Sequence, residues 1–368
     1  MQETRQQLSG LNAVRFFAGI IVLLAHAHFD LNHKGIHLQN AYLPILDKGK
    51  DGVNLFFTLS GFLLTYISFT TSDTFFRFYV RRILRIWPLY YLCVFLGFFI
   101  LGFVVPHLTG EHYLVFPVEQ GVWCYLFFLP NYIYAMYPMQ NIGSLTILWS
   151  IGVEEQFYIF FPFLIAILKK TKKPLLVIFI ITCVYFIVYF SIGYRVIPVS
   201  QLSINFWETM KFHFMFSGMF FAILCVRHKD FIEKYILKKL PQAIIIVVTL
   251  LKFFTNFPLP AIFDQLVCIL LYPLLIITVI NTKKNIINLD NRILFSLGAI
   301  TYGIYMFHPY VSYIIRFAIL KMNWIEHFFL IAPFFYFIVL FLITSLVAHF
   351  SYKYYESFFL RLKRKYRR

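Results

Sequence analysis

Charge is scarce in this chain of 368 residues: Asp, Glu, Lys and Arg together make up 13%, about half the share in an ordinary soluble domain. Carboxylates are scarcer still, 16 against 33 Lys and Arg. So few charges cannot keep a folded surface of this size in water, which excludes a soluble globular protein. Cysteine is sparse too. Cys93, Cys124, Cys183, Cys225 and Cys268 stand singly in apolar runs, with no CxxC pair and no metal-type spacing. They read as small buried apolar side chains, and no metal site is expected. No tandem repeat is visible, and no appended soluble domain is expected after the last apolar run, which ends near residue 350.

Apolar residues are abundant, at 60% of the chain, with 47 Phe and 25 Tyr. This composition predicts an all-α polytopic membrane protein, because helices satisfy every backbone polar group within one segment. Ten runs approach the ~20 residues a bilayer requires: 11–30, 52–71, 84–106, 145–168, 174–193, 204–226, 241–257, 261–281, 293–318 and 327–350. An eleventh run, 121–135, is short and broken by Pro130 and Asn131. It is expected to be re-entrant or interfacial. Residues 1–368 then form one membrane-embedded domain, with 351–368 as a basic cytoplasmic tail.

The net charge of +17 has its explanation in topology rather than in nucleic acid. Arg77, Arg81, Arg82 and Arg85, the KKTKK run at 169–173, Arg227, Lys229, Lys234, Lys238 and Lys239, then Lys283, Lys284 and Arg292, and finally RLKRKYRR all fall in alternate connections. The opposite connections hold only Lys34, Lys48, Lys50, Arg195 and Lys321. The positive-inside rule therefore puts both termini in the cytoplasm. Arg15 interrupts the apolar run that a cleaved signal would need, so the first span is read as retained. The outward loop 107–144 lacks Lys and Arg but carries Glu111, Glu119, Trp123 and several Tyr. It suits either a sugar surface or an interfacial aromatic belt.

The costly residues are those inside the spans. Arg15 and His26 are eleven residues apart on the first span, so they return to nearly the same helical face, separated by ~16 Å along the axis. Buried ionisable groups in a membrane generally face a cavity and mark function. The plainer reading is that Arg15 snorkels and His26 makes a hydrogen bond near the far interface. Arg82 and Arg85 are neighbours on one face at the start of the third span. With Arg15 at the same depth, they could clamp phosphates, or they could simply mark the cytoplasmic side. Glu154 and Glu155 lie inside the fourth span beside Trp149. Being adjacent they diverge by 100°, so both cannot aim at one point. One could pair with His26 or Arg15; a structural ion pair is the alternative. Tyr302, Tyr305 and His308, at i, i+3 and i+6, offer hydrogen bonds towards the bundle, with interhelical bonding as the plainer role. Ser60-Gly61 suits close helix packing. Lys252 and Arg316 fit snorkelling, Lys211 and His213 are candidate lining residues, and Glu356 is placed to tie the tail to the arginines.

Five stretches together resemble one family. The Arg15-to-His26 spacing, GVNLFFTLSGFLL at 52–64, RRILRIWPLYYL at 81–92, LWSIGVEEQFYIFFP at 148–162 and ITYGIYMFHPYV at 300–311 resemble, in order and spacing, the motifs of the acyltransferase-3 family. These are bacterial integral-membrane O-acyltransferases. The second stretch departs from the family pattern, with Asn54 where an acid is common. The resemblance implies a bacterial cytoplasmic-membrane enzyme; some members of the family carry a fused extracytoplasmic esterase-like domain, and none is expected here. It implies acyl-CoA, most simply acetyl-CoA, as co-substrate and a hydroxyl of a cell-surface or lipid-linked saccharide as acceptor. Arg15, Arg82 and Arg85 would then hold the donor phosphates. His26 would serve as general base, or as the site of a covalent acyl-histidine, with Glu154 or Glu155 orienting it or holding the sugar. Asn54, Trp149, Tyr302, Tyr305 and His308 would support the site. The rival reading from the residues alone is a transporter or flippase for a saccharide or small polar solute. Acceptor identity, acyl length and oligomeric state are not legible from the sequence.

Overall fold

In the computed structural model, the described residues are 10–32, 43–71, 74–110, 114, 116–137, 143–256, 258–280, 284–287, 289, 291–321 and 332–366. Lys34, Glu111, Lys283 and residues 327–331 of the tenth expected span lie outside them, as do the side chains of Arg316 and Lys321. The described residues form helices and no strand. Long helices are α1 (Gly10–Asn32), α2 (Gly49–Thr70), α3 (Phe75–Phe99), α6 (Leu148–Lys170), α7 (Pro174–Gly193), α9 (Phe212–Arg227), α10 (Lys239–Phe254), α11 (Ala261–Ile280), α12 (Arg292–Lys321) and α13 (Ala332–Phe350). Shorter ones are α4 (Val118–Leu126), α5 (Pro130–Met136), α8 (Gln201–Thr209) and α14 (Ser357–Arg364). Among the described residues each of the ten expected spans lies on helix, the sixth being divided between α8 and α9. Eight stretches are long and apolar enough to cross a membrane. The other two are α10, with only 16 residues, and α12, whose 30 residues include a run of buried polar groups (Thr301, Tyr305, His308 and Ser312). The chain is an all-α polytopic membrane protein.

Close packing at the centre depends on absent side chains. Helix α2 lies along α9, α1 lies between α2 and α12, and α13 covers α12. A Cβ on Gly61 would fall on the Met215 carbonyl oxygen, and one on Gly218 would fall on the Thr58 carbonyl. Two backbones therefore touch where α2 crosses α9, as small residues permit inside membranes. The helix pair α8–α9 is 67% buried within the protein, whereas α7 is 17% buried and turns Phe179, Val184 and Ile187 outwards.

Two departures from unbroken spans matter. The expected sixth span is interrupted between α8 and α9, at Met210-Lys211. A break in apolar surroundings exposes carbonyls, and here α7 takes them up. The Tyr185 hydroxyl donates to the Met210 carbonyl (2.6 Å) and the Tyr189 hydroxyl to that of Glu208 (3.3 Å). The irregular backbone is thus satisfied by protein. The 121–135 run forms two half-helices, α4 and α5, turned at Phe128, whose φ is 57°. Gln156 on α6 donates to the Phe128 carbonyl (2.8 Å) and to Asn131 Oδ1 (2.8 Å), and Asn131 is fully buried. The segment folds back against α6 and does not span.

Gly61→Val should drive α2 and α9 apart. The expected cost is ~3 kcal/mol of stability, read as a lowered unfolding midpoint of the detergent-solubilised protein. An unchanged midpoint would contradict the backbone contact.

Candidate active site

Helix α1 is continuous from Gly10 to Asn32, so the ~16 Å rise from Arg15 to His26 stands. The two residues belong to two distinct clusters, one at each end.

At the His26 end, the partner is another imidazole. His26 Nδ1 lies 2.7 Å from His308 Nε2, and His308 Nδ1 lies 2.7 Å from the Tyr305 carbonyl oxygen. The carbonyl can only accept, so His308 Nδ1 carries the hydrogen. In an uncharged pair, His308 Nε2 must then accept, and His26 Nδ1 donates to it. The chain of bonds leaves His26 Nε2 as the lone-pair nitrogen. The His26 ring is half-buried and the His308 ring is buried. His28 turns to other groups, Asn32 (3.0 Å) and Asp47 (3.7 Å), as its different helical face requires.

At the other end Arg15 donates to Asn12 Oδ1 (3.1 Å) and lies in the field of Arg82 and Arg85 from α3. Arg82 Nε is buried with no hydrogen-bond partner among the described residues. The two glutamates belong to this end. Glu154 is within reach of Ser60, Tyr158 and Arg82, with Ser60 Oγ and the Tyr158 hydroxyl 2.6 Å apart. Glu155 Oε2 accepts from Trp87 Nε1 (2.9 Å), while its buried Oε1 has no partner among the described residues. The carboxylates diverge as adjacent helical residues must, and His308 takes the place beside His26 where a glutamate was expected.

The supporting residues divide similarly. The Tyr305 hydroxyl donates to the Ile147 carbonyl (3.0 Å) and meets Ser150 Oγ (2.6 Å). The Tyr302 hydroxyl donates to the Ile86 carbonyl (3.0 Å). Both tyrosines tie α12 to its neighbours, and the backbone of Tyr305 fixes the His308 ring. Asn54 is buried with Oδ1 unpartnered among the described residues. The Trp149 ring packs between Phe57 and Tyr134.

A third polar cluster escapes a reading of single motifs. Lys252 on α10 does not snorkel: its Nζ lies 2.5 Å from Asp264 Oδ1 on α11 and 3.5 Å from Asp51 Oδ2 on α2. Asp51 also accepts from the Tyr272 hydroxyl (2.6 Å) and stands beside Cys268. Asp51, Asp264 and Cys268 bring ligand-type atoms within 4.8 Å of one another, but the Lys252 ammonium already supplies their countercharge. Lys211, at the helix break, lies in the field of Lys50, Asp51 and Glu208. His213 Nε2 donates to Gln265 Oε1 (2.8 Å). The signal in the sequence was a lysine and an aspartate twelve residues apart across a short connection, Lys252 and Asp264.

A family model described as an acyltransferase domain matches residues 8–352. Among curated relatives, YrhL of Bacillus subtilis (strain 168) is 29% identical over 171 residues, 44% of this chain and 24% of that protein. The O-acetyltransferase OatA of Staphylococcus aureus (strain NCTC 8325 / PS 47) is 27% identical over 179 residues, 45% of this chain and 26% of that protein. The peptidoglycan O-acetyltransferase OatA of Listeria monocytogenes serovar 1/2a is 27% identical over 191 residues, 48% of this chain and 27% of that protein. The matched part of this chain spans about a quarter of the length of each relative. No solved structure matches.

Lys252→Met should leave Asp51 and Asp264 uncompensated in a low-dielectric setting. Breaking such a buried pair is expected to destabilise the protein by about 3 kcal/mol. Adding Asp264→Asn should recover part of the loss in thermal unfolding, and a single variant as stable as wild type would contradict the arrangement.

Proposed function

Because the chain belongs to the acyltransferase-3 family, whose model matches residues 8–352, we propose that it moves an acyl group, most simply acetyl, from acyl-CoA to a hydroxyl of a cell-envelope saccharide. The observation that carries this reading is the division of α1. Arg15 stands among arginines at one end, and His26 stands in a hydrogen-bonded histidine pair at the other. In the proposed orientation the arginine end faces the cytoplasm, where acyl-CoA is found, and the protein lies in a bacterial cytoplasmic membrane. A glycan, lipid-linked or at the surface, approaches from the opposite side.

Arg15, Arg82 and Arg85 fit a phosphate-bearing donor. A guanidinium holds phosphate oxygens with paired hydrogen bonds, and Arg82 Nε has no acceptor among the described residues. Glu154 and Glu155 balance part of the positive charge and keep the guanidinium of Arg82 aimed. From there the donor's pantetheine arm reaches along α1, over a distance comparable to the ~16 Å helical rise, and brings the thioester to His26.

His26 is the general base. Its Nε2 takes the proton from the acceptor hydroxyl as that oxygen attacks the thioester carbonyl carbon. The tetrahedral intermediate collapses, the C–S bond breaks, and the proton on Nε2 passes to the leaving thiolate. The products are the O-acyl ester and free CoA, with His26 returned to its starting form. His308 is a positioning residue: accepting from His26 Nδ1, it fixes the tautomer and offsets part of the charge the ring gains. Asn54 is the candidate to steady the developing oxyanion from its amide side.

Labelled acetyl-CoA in proteoliposomes tests the assignment. His26→Ala should lower transfer by at least about 10³-fold. His308→Ala should lower kcat by about 10²-fold, with the KM for acetyl-CoA nearly unchanged. Arg82→Ala combined with Arg85→Ala should instead raise that KM. Transfer that survives His26→Ala would refute the base, and consumption of no acyl-CoA by wild type would favour transport.

A further inference from the structure

The C-terminal segment is bound to the arginine helix at two levels. A π-helical turn, Ser351–Glu356, leads from α13 into α14, and α14 packs on α3. Below the arginines, Arg81 Nη1 donates to the Tyr366 carbonyl oxygen (3.0 Å) and the Tyr366 ring meets Phe76 edge-on. Above them, the Tyr355 hydroxyl donates to the Pro88 carbonyl oxygen (3.0 Å). Arg82 and Arg85 lie between these two clamps. The result places Lys363, half-buried, in the electrostatic neighbourhood of Arg15, Arg81, Arg82 and Arg85. Glu356, 4% exposed, comes within the field of Arg85.

Five cations thus converge from three helices: Arg15 from α1, Arg81, Arg82 and Arg85 from α3, and Lys363 from α14. Among the described residues, the carboxylates in reach are Glu154, Glu155 and Glu356. Positive charge is in excess even if all three are ionised. Gathering like charges at half-buried positions is unfavourable unless an anion of matching charge fills the site. A simple topological preference for cytoplasmic cations gives no reason to dock the tail so that its lysine adds to the crowd. The Arg82 Nε, buried without a partner among the described residues, is a donor that such an anion would accept from.

We infer that Lys363 is a fourth phosphate ligand of the donor site, acting with Arg15, Arg82 and Arg85, so that the C-terminal helix closes over closely spaced phosphate groups. This rests on the acyl-CoA reading, which supplies such phosphates; an anionic lipid headgroup has the same chemistry. Arg81 is engaged with the Tyr366 carbonyl and serves to hold the helix in place.

The test measures acetyl-CoA binding to the full chain in phosphatidylcholine nanodiscs. Lys363→Gln should weaken binding about tenfold, the worth of one charge-assisted contact to phosphate, and Lys363→Arg should restore most of it. Turnover with acetyl-pantetheine, which lacks the nucleotide phosphates, should be the same for Lys363→Gln and wild type. If Lys363→Gln binds acetyl-CoA as wild type does while Arg82→Ala is weakened, the inference is overturned and the donor reading survives. An effect of Lys363→Gln seen only when phosphatidylglycerol is added assigns the lysine to lipid and overturns it as well. No acetyl-CoA binding by wild type removes the donor reading and the inference together.

Discussion

A polar group inside a bilayer has no water to turn to, and this constraint organises the whole protein. The broken backbone between α8 and α9 is met by Tyr185 and Tyr189. Lys252 is held between Asp51 and Asp264. The Tyr302 and Tyr305 hydroxyls find carbonyls on neighbouring helices. His26 finds His308. Each partnership crosses from one helix to another, so the polar residues that cost most in hydrocarbon are also those that fix how the helices sit. The apolar faces alone could slide or rotate against lipid with little penalty, because lipid tails are as apolar as Phe and Leu.

The rule has exceptions, and three of them bear on the two sites. Arg82 Nε, Glu155 Oε1 and Asn54 Oδ1 are buried without a partner among the described residues. Two of the three belong to the arginine end, where positive charge exceeds negative. On the proposed reading, a ligand at the arginine end would meet these open groups. The histidine end is different in kind. It is internally satisfied except for the nitrogen that would handle the acceptor's proton. One helix therefore carries an arginine cluster and a histidine pair, held apart by its own rigid rise, as the proposed gripping and proton-handling roles require.

Much of this was legible in the amino-acid order, and the failures have physical causes. Apolar run length found all eight stretches that are long and apolar enough to cross a membrane, because a bilayer imposes one length on its spans, and it added α10 and α12. Helical spacing placed Arg15 and His26 on one face and separated Glu154 from Glu155. It could not name partners from distant parts of the chain: His308 lies 282 residues beyond His26, and only the packing of α12 on α1 joins them. The break before Phe212 was hidden because an averaged apolar run does not register a satisfied kink. Lys252 looked able to snorkel because its position near a helix end allows it, and only the return of α11 beside α10 supplies the aspartate that holds it. Glu356 was read as a tie between the tail and the arginines, but nothing in YKYYESFFLRLKRKYRR announces that Tyr355 and Tyr366 fasten it to α3.

The central claim is that α1 links a donor site on one face of the membrane to a base serving the other. Sided proteoliposomes address it directly, with protein inserted in one orientation, labelled acetyl-CoA confined to the face bearing the arginines, and a saccharide acceptor confined to the opposite face. The account predicts labelled ester on the acceptor across the membrane, dependent on His26. Ester formation only when donor and acceptor share one face would contradict it.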